Sequence, residues 1–210
     1  MLLDFAELTS KYRLAEKVTG VIHGGAHLAE EAGDYNQLLG PHVPVWWIEA
    51  NPEVFFKIGA VLAPYPHQKL IEGLLCDTDG EERSFNVTNN DGMSSSIYWF
   101  GTHPTFSPET VFTHQITPTT RTLDSIVAQY EIKANMLVMD IQGAEGLALA
   151  GAKELLPTLD FVMLEVNRDE VYIGCSKVWD LDDVLLKNGL TRRETHWVGT
   201  QGWGDAWWTR

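Results

Sequence analysis

Residues 135–156 read NMLVMDIQGAEGLALAGAKELL, placing a buried strand, an acidic turn and a helix start in one run. Met136, Leu137, Val138 and Met139 suit a core strand, whereas Asp140, Gln142 and Glu145 have no use in packing. An acid at the carboxyl end of a parallel strand stands where open α/β sheets bind their ligands. Asp140 is therefore a candidate site residue. Glu145 falls in the first helical turn, where the helix dipole alone favours an acid.

Outward from this run, apolar strands alternate with helical patterns, the signature of a mostly parallel sheet with helices on both faces. Towards the N-terminus, a strand at 18–23 leads through a Gly-Gly turn into a helix with Leu28, Ala32, Tyr35 and Leu39 on one face, stopped by Gly40-Pro41. A second strand at 43–50 is followed by Asn51, a cap, and by Pro52 at the first position of a helix that turns Val54, Phe55, Ile58 and Leu62 inward. A third strand spans 69–76, with the turn DTDG after it and an extra strand at 83–87. Residues 88–120 form a long polar stretch, read as a substrate or lid loop. A helix at 121–130 carries Leu123, Ile126, Val127 and Tyr130 on one side. Towards the C-terminus come a strand at 160–166, a helix at 178–188 and two strands, 191–198 and 205–210, joined as a hairpin. A terminal hairpin in place of another parallel crossover points to a class I methyltransferase (Rossmann-like) sheet. An amphipathic N-terminal helix over 1–17 puts Phe5, Leu8, Tyr12 and Ala15 on one face, and residues 1–210 read as one domain.

The formal charge of −14 argues against a protein that tracks phosphates, so no nucleic-acid partner is expected. No apolar run has the length of a membrane span, and the N-terminus lacks the layout of a signal peptide. Cys76 and Cys175 form neither a disulfide framework nor a ligand cluster, so a cytoplasmic protein without a bound metal is expected.

Four further groups of residues carry chemistry. His23-Gly24-Gly25-Ala26-His27 joins the first strand to its helix, where glycines let the backbone approach a ligand; a tight turn has the same requirement. Ala29 and Glu30 stand where a pyrophosphate fingerprint needs its third small residue, and Glu30 and Glu31 would repel a diphosphate. Glu49, with Ala50 after it, ends the second strand at the spacing of an acid that accepts hydrogen bonds from a ribose diol. Cys76 and Asp77 end the third strand where an adenine would lie, although DTDG is also a common turn. Glu165 ends the fifth strand on the same edge, with pairing to Arg168 as its simpler reading.

With these parts in place, the chain resembles the FkbM-type methyltransferase family. The resemblance rests on VIHGGAHLAEE, WWIEANPEVF, LLCDTDGEERSF, MSSSI, TTRTLDSI, LVMDIQGAEGLALAGAKELL and FVMLEVNRDEVYIG, in the family's order. His23 replaces an acid common in the first turn, Ala29 replaces the usual second glycine, and Val138 stands where many members carry a lysine. The resemblance implies S-adenosylmethionine as cofactor and methyl transfer to a hydroxyl of a small molecule or glycan. It places Asp140 near the reacting centre, makes His103 a base or substrate contact, and leaves Ser94, Ser95, Ser96 and Glu165 to meet the acceptor. Two other readings compete. One is a nicotinamide-dependent oxidoreductase; the other is a non-catalytic module acting through Trp197, Trp203, Trp207 and Trp208.

Overall fold

A computed structural model describes residues 2–210. In chain order the elements are α1 (Phe5–Tyr12), α2 (Leu14–Lys17), β1 (Val21–Gly24), α3 (Ala32–Leu38), β2 (Val45–Glu49), α4 (Phe55–Leu62), β3 (Gln68–Glu72), β4 (Leu74–Leu75), β5 (Phe85–Thr88), β6 (Phe112–Ile116), β7 (Thr120–Arg121), α5 (Leu123–Gln129), β8 (Met136–Met139), α6 (Glu145–Ala150), β9 (Phe161–Asn167), α7 (Val178–Lys187), β10 (Thr191–Trp197) and β11 (Trp203–Thr209).

The main sheet has the order β10-β11-β9-β8-β1-β2-β3. Neighbours from β9 to β3 pair in parallel, and β11 is inserted antiparallel between β9 and β10. β1 takes β2 on one side and β8 on the other, so the chain winds outward, then returns to the opposite flank. That reversal makes a switch point, where adjacent loops part and leave a crevice at the strands' carboxyl ends.

Alternate residues of each strand feed two cores. Val21, Val45, Trp47, Met136, Val138 and Trp207 pack towards α1, α3 and α4. Ile22, Trp46, Ile48, Leu137, Met139 and Trp208 pack towards α5, α6 and α7. This two-sided burial explains why the strands read as continuous apolar runs. Trp207 and Trp208 are fully buried, so the aromatic C-terminus packs the sheet; it does not form the interaction surface of the non-catalytic reading.

Several local expectations need correction. The N-terminal helix breaks at Arg13, whose φ of 58° is left-handed; the break shifts the helical phase, burying Leu14 and exposing Ala15. The helix after the Gly-Gly turn starts only at Ala32, because His27 and Ala29 take left-handed φ values of 44° and 53°. The third strand stops at Glu72. After Gly73 the chain leaves the main sheet, and Leu74–Leu75 pair with β7. Residues 88–120 are not wholly irregular: β6 pairs antiparallel with β5, and bridges tie Asn86 to Ser96 and Phe100 to Tyr172. Thr122 caps α5 through the Ser125 N–H, and Tyr130, expected inside, is exposed.

Candidate active site

The site is built where β1, β2 and β8 end. Gly25 has φ +81°, and its N–H donates to the Ile48 carbonyl at 2.9 Å. A β-carbon there would lie 1.8 Å from the Asp140 carbonyl oxygen, so only glycine lets the two turns touch. The Asp140 N–H donates in turn to the Gly24 carbonyl at 3.0 Å. The glycine turn thus fixes Asp140 at the switch point.

Glu49 is buried at the end of β2. Its carboxylate accepts the His27 N–H at 2.9 Å on one oxygen and the Asn51 N–H at 2.7 Å on the other. Burial pushes its pKa up, while the bonds from Asn51 and His27 pull it back. Each oxygen keeps a second lone pair for a ligand. Glu49 and Ala50 face a cavity of about 620 Å³, walled by Gly25, Leu74, Leu75 and Phe85 and roofed by Gly92 and Met93. No lysine or arginine lines it.

Asp140 is exposed at the mouth of three cavities, this one and two neighbours of about 820 and 780 Å³; Met93 also borders all three. A single amide organises its surroundings. Gln142, at φ 55°, donates through Nε2 to Asp140 Oδ1 and, at 2.6 Å, to Glu165 Oε2. Its Oε1 accepts from the Tyr172 hydroxyl, and its carbonyl accepts from Ser96 Oγ at 2.7 Å. Glu165 is buried, and desolvation followed by the Asp140 charge holds its pKa well above the usual carboxylate range. Glu145 braces the turn, accepting the Ile141 N–H at 2.9 Å and the Gly143 N–H at 3.3 Å. Burial, with a contribution from Asp140, pushes its pKa up to about 7.

The other sequence candidates are placed as follows. His23, Ala26 and His27 line the 820 Å³ cavity with Glu30, Glu31 and Val138. His23 is buried, stacked on Trp47 at 4.4 Å, with Nδ1 3.0 Å from the Tyr35 hydroxyl. Cys76 and Asp77 line none of the three cavities; the Cys76 thiol donates to Asp77 Oδ1 at 3.1 Å, and Asp77 lies 3.5 Å from Arg83. Because the chain leaves the main sheet after Glu72, residues 73–75 border the first cavity in place of the pair expected there. The three serines separate: Ser95 faces the first cavity, Ser94 the third, and Ser96 the Gln142 carbonyl. His103 lines the third cavity in a short 3-10 turn, stacked on Phe100 at 4.2 Å, and burial lowers its pKa. Tyr172, Phe106 and Trp203 complete that cavity; the sequence offers Trp203 only as part of an interaction surface, and nothing in it assigns Phe106 or Tyr172 to an acceptor.

Among the described residues no group of three His, Cys, Asp or Glu is arranged to hold a metal ion, and no helix is long and apolar enough to cross a membrane.

A family model described as the methyltransferase FkbM domain matches residues 23–191. The 2-O-methyltransferase NoeI of Sinorhizobium fredii is 27% identical over 143 residues, covering 65% of this chain and 58% of that protein. The match therefore spans little more than half of that relative's length. The fold is similar to fibrillarin of Aeropyrum pernix with bound S-adenosyl-L-methionine, at TM-score 0.53 and 11% identity over 91% of this chain and 66% of that one. It is also similar to magnesium protoporphyrin IX methyltransferase of Synechocystis with the same molecule bound, at TM-score 0.53 and 12% identity over 98% and 77%. A methyltransferase of Aquifex aeolicus matches at TM-score 0.53 and 10% identity over 99% and 89%. The likeness at these identities is one of fold: this is the class I methyltransferase architecture.

Proposed function

Because the chain belongs to the FkbM methyltransferase family, we propose that it transfers a methyl group from S-adenosylmethionine to a hydroxyl oxygen of a small molecule or glycan. The observation that carries this reading is the meeting of three cavities at the Asp140 carboxylate, one of them lined by the buried Glu49. The first cavity fits an adenosyl group: it has apolar walls, an acid with lone pairs left for a diol, and no cation to neutralise a diphosphate. The same absence of cations, with Glu30 and Glu31 on the adjoining cavity, speaks against the nicotinamide reading.

When bound, the cofactor supplies an electrophilic methyl group on a sulfonium. Glu49 holds the ribose hydroxyls, with Ala50 beside it, and the His23–His27 turn bounds the opposite end. Asp140 has two tasks. Its negative charge favours a cationic donor, and it takes the proton that the acceptor hydroxyl loses as the new C–O bond forms. Gln142 fixes the orientation of Asp140, so reactants are aligned without rearrangement at the moment of transfer. Ser94, Glu165 and His103 contact the acceptor, and Ser95 and Ser96 hold the segment that roofs the first cavity. The NoeI relative, named for O-methylation, supports oxygen as the acceptor atom.

Calorimetric titration tests the reading. S-adenosylmethionine is expected to bind with one-to-one stoichiometry and NADH to give no heat; the reverse result would end the methyltransferase account.

A further inference from the structure

The cavity of about 780 Å³ on the far side of Asp140 has a lining that restricts what it admits. We infer that it receives the acceptor as an uncharged polyhydroxylated group with an apolar ring face, such as the pyranose of a glycoside. This inference rests on the methyltransferase reading.

Charge is the first restriction. Asp140 and Glu165 both line the cavity, and no lysine or arginine does. His103 adds no cation at neutral pH, since burial lowers its pKa. A phosphate, sulfate or carboxylate on the acceptor would face the Asp140 carboxylate with nothing to neutralise it. The Gln142 amide donates to both acids, giving each a neutral hydrogen-bond partner within the cavity.

Shape and polarity complete the picture. Phe106, Tyr172 and Trp203 supply aromatic surface for the C–H face of a ring. The Trp203 indole N–H donates to Gln201 Oε1 at 3.0 Å, which sets the ring beside a side-chain amide on the same wall. Asn90 and Ser94 lie in the same lining, and Asn90 Nδ2 donates to Ser94 Oγ at 3.0 Å. Amides and hydroxyls that both donate and accept match vicinal hydroxyls, whereas a flat phenol would leave most of them unpaired.

The test measures transfer of labelled methyl from S-adenosylmethionine to a panel: methyl hexosides and deoxyhexosides, short neutral oligosaccharides, the matching uronic acids and 6-phosphates, hexosamines and catechol. Neutral glycosides are expected to be methylated with kcat/KM about 100-fold or more above their anionic counterparts, as uncompensated like charges predict. Trp203→Ala should raise the KM for the glycoside about 10-fold with little change in kcat, and Trp203→Phe should largely restore it. Cofactor affinity, measured by calorimetry, should be the same in all three proteins. Preference for anionic, amino or catechol acceptors would overturn the inference, as would bound cofactor with no transfer to any neutral glycoside. Failure of the wild-type protein to bind S-adenosylmethionine would overturn the underlying reading instead.

Discussion

The contact between Gly25 and the backbone of Asp140 makes a demanding test of how the site is held. Gly25→Ala places a β-carbon 1.8 Å from the Asp140 carbonyl oxygen and 2.8 Å from its carbon, at a φ of +81°. A left-handed non-glycine residue costs about 1–2 kcal/mol. Forcing an extra carbon into a packed contact adds about 1–3 kcal/mol, paid by shifting the turn. The sum, about 2–5 kcal/mol, corresponds to a fall of roughly 4–20 °C in Tm for a domain of this size. Gly59→Ala is the matched control. It lies within α4 with nothing within 4 Å of a new β-carbon, so it should stabilise by about 0.5–1 kcal/mol. Urea denaturation followed by circular dichroism measures both, with equal m-values showing that only native stability changed. Because relief of the clash moves Asp140, cofactor affinity should fall in Gly25→Ala and stay constant in Gly59→Ala. A Gly25→Ala protein within about 0.5 kcal/mol of wild type and with unchanged affinity would refute the reasoning.

Other perturbations probe the site piece by piece. Glu49→Gln keeps the shape but removes a charge-assisted acceptor worth about 1.5–3 kcal/mol, so the Kd for S-adenosylmethionine should rise about 10- to 150-fold; a change below about 3-fold would reject the diol role. Glu145 and Glu165 have raised pKa values in the folded chain, so their contribution to stability is fully present below the ordinary carboxylate range and is lost as pH rises through the raised values. For Glu145 the window runs from 4.5 to about 7, and Glu145→Gln, which mimics the protonated form, should flatten the pH dependence of the urea midpoint there. Tyr172→Phe removes the hydroxyl that donates to Gln142 Oε1 beside the Ser94 carbonyl; a loss of about 1–2 kcal/mol and a higher acceptor KM at constant cofactor affinity are expected from denaturation and steady-state kinetics.

The fold was legible because its strands are buried on both faces. Runs such as VWWIE and MLVM admit no solvent-facing reading, and the hairpin that places β11 between β9 and β10 left its mark in GWGDAWW. What failed were phases and ends. A single left-handed residue at Arg13 shifts a helix face, and no local signal announces it. Ala29 takes φ 53°, a conformation that favours glycine, so the turn forms without the residue that would signal it. Glu165, expected at a strand end, lies inside β9 opposite Asp205, whereas Glu49 and Asp140, at the ends of β2 and β8, were readable from position alone. The acceptor cavity was not, because Phe106, Tyr172 and Trp203 come together only through the bridge between Phe100 and Tyr172 and the pairing of β11 with β9.

The central claim is that methyl donor and acceptor meet at the Asp140 carboxylate. The direct test is the rate of single-turnover methyl transfer by Asp140→Asn at saturating S-adenosylmethionine, once an acceptor from the panel is in hand. The account predicts a weaker affinity for the cofactor, from loss of the charge that favours a cationic donor, and at saturation a rate lowered about 10²- to 10⁴-fold, the loss expected of a missing general base. Transfer at the wild-type rate would contradict it.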